Sequence, residues 1–230
     1  GERHSNAVIN LTQENPYADL DPRFFMTVVK NGDIWPNYNP NPIETFIGGL
    51  NAAPIHNSTP TGYYLRKYCD PNVSLATNNP TTSPHAWVAM RLGEFILNYA
   101  EAMFQYYGDA EAKGEGNFSA NDAINLLRDR ADVMMPHWSG TSANWFERYK
   151  RERMVELAFE DQRFWDVRRW KCGSELSEIS IAELQKNASG DIILTRKQEQ
   201  RRWEDKYYLF PIPFSEYNKN KNLGQNPGWN

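Results

Sequence analysis

The sequence is poor in the features that mark disulfide-rich, metal-binding, nucleic-acid-binding and membrane-spanning proteins. Its 230 residues include only two cysteines, Cys69 and Cys172, which are too few for a disulfide framework and lack the spacing of metal ligands. The 25 Lys and Arg residues nearly balance the 29 Asp and Glu residues, and the net charge of −4 is spread along the chain. No overall field therefore favours nucleic acid or an anionic bilayer, and the apolar runs are far too short to span a membrane.

The start of the chain also lacks a signal peptide and a lipidation signal, because no apolar stretch follows Gly1. A start without Met is typical of a mature form or an excised fragment. What the chain has in quantity is aromatic residues, with 8 Trp, 12 Tyr and 11 Phe. Aromatic side chains fill cores, and on a surface they form stacking platforms for flat ligands, so their positions must decide between these roles.

Residues 1–85 are rich in Asn, Pro, Gly and Thr, which predicts a loop-rich segment. Within it, residues 21–29 (DPRFFMTVV) are predicted to form a short strand, and Asn31-Gly32 a hairpin turn from which residues 33–35 return. Residues 36–60 are predicted to form a long loop, which in a globular chain is either functional or disordered. Residues 61–68 (TGYYLRKY) are predicted to form a second short strand.

The helical region begins with a change of composition at Ser83, which can cap a helix, and Pro84, which can occupy its first position. Residues 88–107 carry apolar side chains at helical spacing, and Gly108 ends the pattern. The apolar stripe predicted to face inward consists of Leu92, Phe95, Ile96, Tyr99, Met103 and Tyr107.

Two further helices are predicted, one over residues 120–131 with Ser119 as its cap, and one from near Ser142 through the charged stretch 151–170. Successive helices of about a dozen or more residues predict a mainly α fold of antiparallel helical hairpins, with a loop-rich face and a few short β-hairpins. Residues 173–206 are polar and ambiguous. Residues 209–213 (LFPIP) are predicted to dock as an extended segment against the core.

The stretch 151–170 (RERMVELAFEDQRFWDVRRW) mixes charged and apolar side chains. Glu152, Glu156 and Glu160 recur every four residues and would share one helix face. Glycosidases need two carboxylates across a cleft, about 5–9 Å apart, an arrangement that neighbours on one face seldom provide. A metal site would need His or Asp ligands nearby, and none of the four His residues lies in the stretch.

Basic residues at helical spacing from these carboxylates favour structural ion pairs instead. Aromatic residues lie among the pairs, so Arg–carboxylate pairs would be partly buried and would hold neighbouring helices in register. The short basic cluster at 168–171 lacks the extended patch that nucleic-acid binding needs. The predicted pairs are Arg148–Glu152, Arg153–Glu156, Glu160–Arg163 and Arg163–Asp166.

Five segments resemble, in order, the C-terminal half of the SusD/RagB family. DPRFFMTVVKNGDIW and TGYYLRKY also match the family's pattern in order, so the resemblance extends from about Asp21 to Trp229. Any one of these segments alone would be weak evidence for the resemblance. Their occurrence in the family's order makes the resemblance specific. The five segments are MRLGEFILNYAEA (90–102), AINLLRDRAD (123–132), RERMVELAFEDQRFWDVRRWK (151–171), YYLFPIP (207–213) and NLGQNPGW (222–229).

The resemblance implies tetratricopeptide-like helix pairs as scaffold and a loop-rich side that carries the ligand. SusD-like proteins are lipoproteins on the outer surface of Bacteroidota; they cover a SusC-like TonB-dependent transporter and bind a glycan or other nutrient for uptake. The resemblance therefore implies no catalysis and no cofactor or metal ion. Its expected partners are a glycan and the transporter, with no nucleic acid.

Family members are commonly much longer, and their N-terminal half carries the lipidated cysteine. Residues 1–230 are accordingly expected to be the C-terminal portion of such a protein, with the lipid anchor outside this chain. The expected organisation is a loop-rich, ligand-facing segment (1–85), a helical scaffold (86–172), and a polar segment with an extended tail (173–230).

Sugar recognition needs an aromatic plane for the apolar face of the ring and planar polar groups for its hydroxyls. The loop 33–57 supplies both, which makes it the candidate binding surface. The alternative is that Trp35 and Tyr38 only pin the loop to the scaffold. The candidate glycan-binding residues are Trp35, Asn37, Tyr38, Asn39 and His56.

Other aromatic and apolar residues are assigned structural roles. Phe46 and Ile47 are predicted to anchor the loop, Trp87 to pack at a helix start, and Trp203 and Trp229 to be structural. Two other functions stay open beside glycan binding: a glycoside hydrolase acting through Glu152, Glu156 or Glu160, and a scaffold that holds a protein partner and binds no sugar.

Overall fold

The computed structural model describes Tyr17 and residues 20–37, 41–74 and 78–229. Within these residues the fold is mostly helical, with two small antiparallel sheets of two strands each, β1–β2 and β3–β4. The helices are α1 Pro22–Thr27, α2 Leu92–Tyr107, α3 Ala120–Arg128, α4 Trp145–Glu156, α5 Gln162–Arg169 and α6 Phe214–Lys219. The strands are β1 Val28–Val29, β2 Tyr64–Leu65, β3 Glu178–Lys186 and β4 Ile192–Gln200, and 3-10 turns cover Gly173–Leu176, Asp205–Tyr208 and Lys221–Leu223.

The chain divides into two compact units. The first comprises Gly1–Glu160 and Ala182–Thr195, and the second comprises Asp161–Ile181 and Arg196–Asn230. Among the described residues, none of the helices combines the length and the apolar character needed to cross a bilayer.

The first helix replaces the strand that was predicted over residues 21–29. The Asp21 side chain accepts a hydrogen bond from the backbone N–H of Arg23 at 2.9 Å, and Pro22 occupies the first helical turn. An N-cap followed by Pro begins a helix, and this local signal overrides the β-forming character of the Phe residues that follow. Only β1 remains as strand, and it pairs with β2 (Val28 opposite Leu65) instead of with residues 33–35.

In the first unit, α2 packs against both α3 and α4. Ser119 caps α3 as predicted, because its hydroxyl accepts from the Asp122 N–H while the Asp122 carboxylate accepts from the Ser119 N–H. The stop of α2 at Gly108 is also confirmed, since that residue adopts a φ of +68°. Trp145, which is fully buried, stacks on Phe104 at 4.2 Å and donates its indole N–H to Asn121.

The start and the inward face of α2 differ from the prediction. The helix begins at Leu92, and residues 83–90 are not helical. The buried residues of α2 are Gly93, Leu97, Ala100 and Glu101. The predicted inward stripe is therefore wrong at several positions, because Leu92, Phe95 and Tyr107 are exposed.

The single long helix predicted after Ser142 is divided into α4 and α5. Phe159 and Asp161 both lie in the left-handed region, with φ of +63° and +61°, and a residue with positive φ cannot continue a right-handed helix. The interruption leaves Glu160 outside both helices.

The polar segment after residue 173 contains the hairpin β3–β4, for which the sequence made no prediction. Gly190 gives the turn its positive φ (+91°), and Asn187 N–H donates to Asp191 O. In the first unit, the loop around residues 46–62 is hydrogen-bonded to β3: Ile47 N–H donates to Leu184 O at 2.8 Å. Phe46 and Ile47 were predicted to anchor the loop. Their backbone atoms do so, since Phe46 also forms a β-bridge with Leu184.

The C-terminal tail lies in the second unit and is more regular than predicted, since it contains α6 and two 3-10 turns. Its LFPIP segment is extended and is held by Gln225, which bonds both the N–H and the C=O of Ile212. The side chains of Leu209 and Phe210 are more than half exposed, so the segment is fastened through its backbone. Trp229 has the predicted structural role, because its indole N–H donates to carbonyls of the same tail.

Candidate functional site

A cavity of about 510 Å³ opens beside the β1–β2 sheet in the first unit. Its wall is mostly apolar and carries a few polar groups, which is the usual character of a small-molecule site. The lining residues are Val29, Trp35, Ile43, Asn51, Tyr64, Leu65, Cys69, Asp70 and Val73.

Trp35, the first of the predicted site residues, forms part of this wall. The guanidinium of Arg66 lies 5.6 Å from the centroid of its ring, and Arg66 is held by a 2.9 Å bond to the Asp33 carboxylate. Lys30 bonds the same carboxylate at 2.6 Å. Burial would raise the pKa of Asp33, but hydrogen bonds from Lys30 and Arg66 outweigh it and lower that pKa. The acid therefore stays ionised and fixes the cation that packs on the tryptophan.

The other predicted site residues are only partly brought together. Asn37 is exposed and donates to the carbonyl of Pro71 at 3.4 Å, beside the cavity-lining Asp70. His56 is exposed and is not among the residues that line the cavity. Tyr38 and Asn39 lie outside the described residues.

Sequence reasoning missed the polar part of the wall. The Tyr64 hydroxyl donates to Asn51 O at 2.7 Å and accepts from the Thr59 N–H at 3.0 Å, which ties β2 to the preceding loop. The sequence signal for this residue was the segment TGYYLRKY, which was predicted to form a strand. In the structure Tyr64 belongs to β2, which pairs with β1. Cys69, which also lines the cavity, is a free thiol and forms no disulfide with Cys172.

The glutamates of the charged stretch lie elsewhere in the first unit, and all three are buried. Glu156 is at the centre of the cluster: its Oε1 lies 2.8 Å from Arg91 and 2.5 Å from Arg130, and its Oε2 lies 2.9 Å from Arg23. Ion pairing of these acids was predicted, but these partners come from distant parts of the chain. The remaining close pairs are Glu152 with Arg23 and Arg128, Glu160 with Lys67 and Arg91, and Arg23 with Asp21.

The pKa values of Glu156 and Glu160 make these two acids poor proton donors. Burial would raise the pKa of Glu156, but hydrogen bonds from Arg91 and Arg23 and the charge of Arg130 outweigh it, so the pKa is lowered. The same balance lowers the pKa of Glu160, with Arg91 and Lys67 as its partners. A catalytic acid needs the opposite shift, toward neutral pH. In the described part of the chain, no group of three or more His, Cys, Asp or Glu side chains is placed to hold a metal ion.

Comparison with known proteins identifies the family. The model of the SusD family matches residues 2–229. The chain belongs to the SusD family. SusD-like protein P2 of Formosa agariphila is 30% identical over 163 residues, which cover 67% of this chain and 28% of that protein.

Solved structures share the SusD-like fold. A SusD-like protein from Bacteroides fragilis superposes with a TM-score of 0.77 at 27% identity, over 99% of this chain and 43% of that one. A second structure, BT4246, gives a TM-score of 0.71 at 25% identity, over 99% of this chain and 39% of that one. The chain thus spans less than half the length of these relatives. SusD family proteins are generally non-catalytic binding proteins at the outer membrane surface.

Proposed function

We propose that this SusD family chain takes part in binding a glycan, or another nutrient, at the outer membrane surface and in delivering it to a SusC-like TonB-dependent transporter. Membrane attachment in this proposal is through an N-terminal lipid anchor outside the chain. The proposal includes no catalysis and no cofactor. Because a fold by itself hosts many functions, the site must carry the argument.

The observation that carries the proposal is the cavity whose wall includes Trp35. An indole ring offers a flat apolar face, and the amide of Asn51 and the carboxylate of Asp70 offer polar groups beside it. A pyranose ring likewise combines an apolar surface, its C–H face, with polar groups, its rim of hydroxyls. About 510 Å³ is within the usual size of a small-molecule site.

The buried glutamates argue against the hydrolase alternative. Glu152, Glu156 and Glu160 are at most 9% exposed, and each is held by at least two cationic side chains. A substrate would have to displace those cations to reach a carboxylate. The low pKa values of Glu156 and Glu160 keep both acids ionised at neutral pH, so neither has a proton to give to a leaving group.

The test is binding of the complete gene product to a panel of neutral and acidic polysaccharides, followed by calorimetry with the best ligand. We expect Trp35→Ala to weaken binding by about tenfold or more, the range for loss of an aromatic anchor. Trp165→Ala is the matched control, because Trp165 is 54% exposed and lies in the second unit. Absence of binding to every polysaccharide and small nutrient tested would refute the proposal.

Three further measurements separate the alternatives. Ligand in the cavity should slow alkylation of Cys69 by N-ethylmaleimide, because this exposed thiol lines the cavity. Release of reducing ends by the wild-type protein would instead favour the hydrolase. The exposed apolar side chains of α2 favour the remaining alternative, a protein scaffold; co-purification of a transporter without any nutrient binding would support that function.

A further inference from the structure

A second aromatic surface lies next to the cavity and has no part in the site described so far. Trp87 is 58% exposed, and its ring stacks on Tyr68 with centroids 4.8 Å apart and planes 25° apart. His85 meets Tyr68 edge-on, with centroids 5.8 Å apart. Because Tyr68 covers one face of the indole ring, the exposed area of Trp87 belongs mainly to the other face and the edge.

Trp87 occupies this position because residues 83–90 do not form the predicted helix. The Ser83 hydroxyl, which was predicted to cap that helix, is hydrogen-bonded to the Asp70 carboxylate instead. The helix begins only at Leu92, and the chain before it has no regular secondary structure and is mostly exposed. The prediction that Trp87 packs at a helix start is therefore wrong, because Trp87 lies on an irregular segment and is 58% exposed.

Neighbouring groups restrict the side chains of this aromatic surface. Tyr68 has a φ of +67°, and Lys67 lies 5.8 Å from its ring centroid. Lys67 is fixed in turn by bonds to Ala158 O at 2.9 Å and to the Glu160 carboxylate. Side chains held in this way lose little freedom when a ligand stacks on them, which is the condition for a preformed binding surface.

The surface and the cavity are joined through three consecutive residues. Tyr68 is the base of the stack, and the next two residues, Cys69 and Asp70, line the cavity. Asp70 is also the residue that holds Ser83, four positions before Trp87. Consecutive Cα atoms are about 3.8 Å apart, so the backbone at the base of the stack adjoins the edge of the cavity.

We propose that Trp87, supported by Tyr68, binds a second sugar ring of a ligand whose first ring occupies the cavity. The ligand is then an oligosaccharide of at least two rings, which crosses the Cys69–Asp70 rim. His85 and Asp70 are the polar groups nearest to the second ring, and the open indole face receives its C–H side. This inference rests on the proposed function and specifies the length of ligand that the site selects.

The test compares a monosaccharide with its oligosaccharides of increasing length, by calorimetry on the complete gene product. For Trp87→Ala we expect about tenfold weaker binding of the oligosaccharide and unchanged binding of the monosaccharide. Trp35→Ala should weaken both, and Trp165→Ala should change neither. Trp87→Phe keeps a ring for stacking and should recover part of the affinity. Melting temperatures show whether each variant is folded; Trp87 is largely exposed, so its replacement should leave the fold intact.

Each result decides between the two proposals. If neither a sugar nor another nutrient binds to the wild-type protein, the proposed function fails and this inference fails with it, and if only a nutrient without sugar rings binds, this inference alone is overturned. If oligosaccharides bind and Trp87→Ala binds them as tightly as Trp165→Ala does, this inference alone is overturned. A monosaccharide that binds as tightly as its longer oligosaccharides would overturn it too, because the second surface would then contribute nothing.

Discussion

Helices α4 and α2 differ in how charged and apolar side chains are divided between the buried and the exposed face. On α4 the buried residues include Glu152, Arg153 and Glu156, whereas on α2 Leu92 is 73% exposed and Phe95 is 55% exposed. The two helices pack in the same unit, so the difference does not come from separate environments. Within the described residues of this chain, burial therefore follows the location of matching partners, and the hydrophobicity of a single helix does not decide it.

The ion-pair cluster also fixes which face of α2 turns inward. A Cβ added at Gly93 would lie 2.4 Å from Arg91 Nη1 and 3.4 Å from Glu156 Oε1, so the cluster occupies the space beside this glycine. The face that begins at Gly93 continues through Leu97 to Ala100 and Glu101, and Tyr149 of α4 donates its hydroxyl to Leu97 O at 2.9 Å. Small residues on that face let the helices approach closely, and the larger apolar side chains are left on the opposite face.

Loss of the central carboxylate should have the largest effect. Glu156→Gln leaves Arg23, Arg91 and Arg130 without their shared counter-charge, and breaking a buried ion pair on one side costs about 3–5 kcal/mol. Urea denaturation of wild type and variant measures the difference. Glu147→Gln is the control, because Glu147 pairs with Lys150 on the same helix with its side chain 63% exposed, and its loss should cost less than about 1 kcal/mol. Equal effects of the two substitutions would contradict the central role of Glu156.

Two leucines of α2 test which face of this helix is buried. Leu97 is fully buried and Leu92 is 73% exposed. Leu97→Ala should lower the free energy of unfolding by about 2–5 kcal/mol, because it removes buried methyl groups and leaves a cavity. Leu92→Ala should stay within about 0.5 kcal/mol of wild type. The reverse order of the two variants would mean that the apolar stripe faces inward after all.

The mildest effect is expected from acid. Glu156 and Glu160 have lowered pKa values in the folded state, so their contribution to stability is complete above the pKa of an unfolded glutamate and is lost as pH falls through the folded values. The melting temperature should therefore be flat near neutral pH and decline below about pH 4.5, the range where an unfolded glutamate takes up its proton. Glu156→Gln should show a shallower decline. A variant with the same pH profile as wild type would show that Glu156 is not a source of the acid sensitivity.

Much of the local structure follows from short signals in the sequence. Ser119 with Asp122, and Gly108, place the start of α3 and the end of α2, because capping is a local interaction within one turn. The start of α1 carried the same kind of signal in Asp21-Pro22, which the neighbouring Phe and Val residues outweighed in the prediction. Ser83-Pro84 gave a false start, since the Ser83 hydroxyl bonds Asp70 instead of a helix N-terminus.

The candidate site was less predictable than the helices. Trp35 was foreseen from a loop rich in Asn and aromatic residues, and it does line the cavity. Tyr64, Cys69 and Asp70 were not, because nothing in the sequence says that β2 pairs with β1 or that residues 69–73 fold beside it. Trp87 was assigned to a helix start, but it lies on an irregular segment before α2 and is exposed.

By itself the sequence determined the family, the start of α3, the end of α2 and the neutralisation of Glu152, Glu156 and Glu160 by basic partners, since these depend on order, capping and charge within short stretches. Tertiary structure decided which basic residues those partners are. Arg23, Arg91, Arg128 and Arg130 reach Glu152 and Glu156 from other elements. Pairing across such sequence separations depends on how the elements pack, and neither local propensity nor helical spacing contains that information.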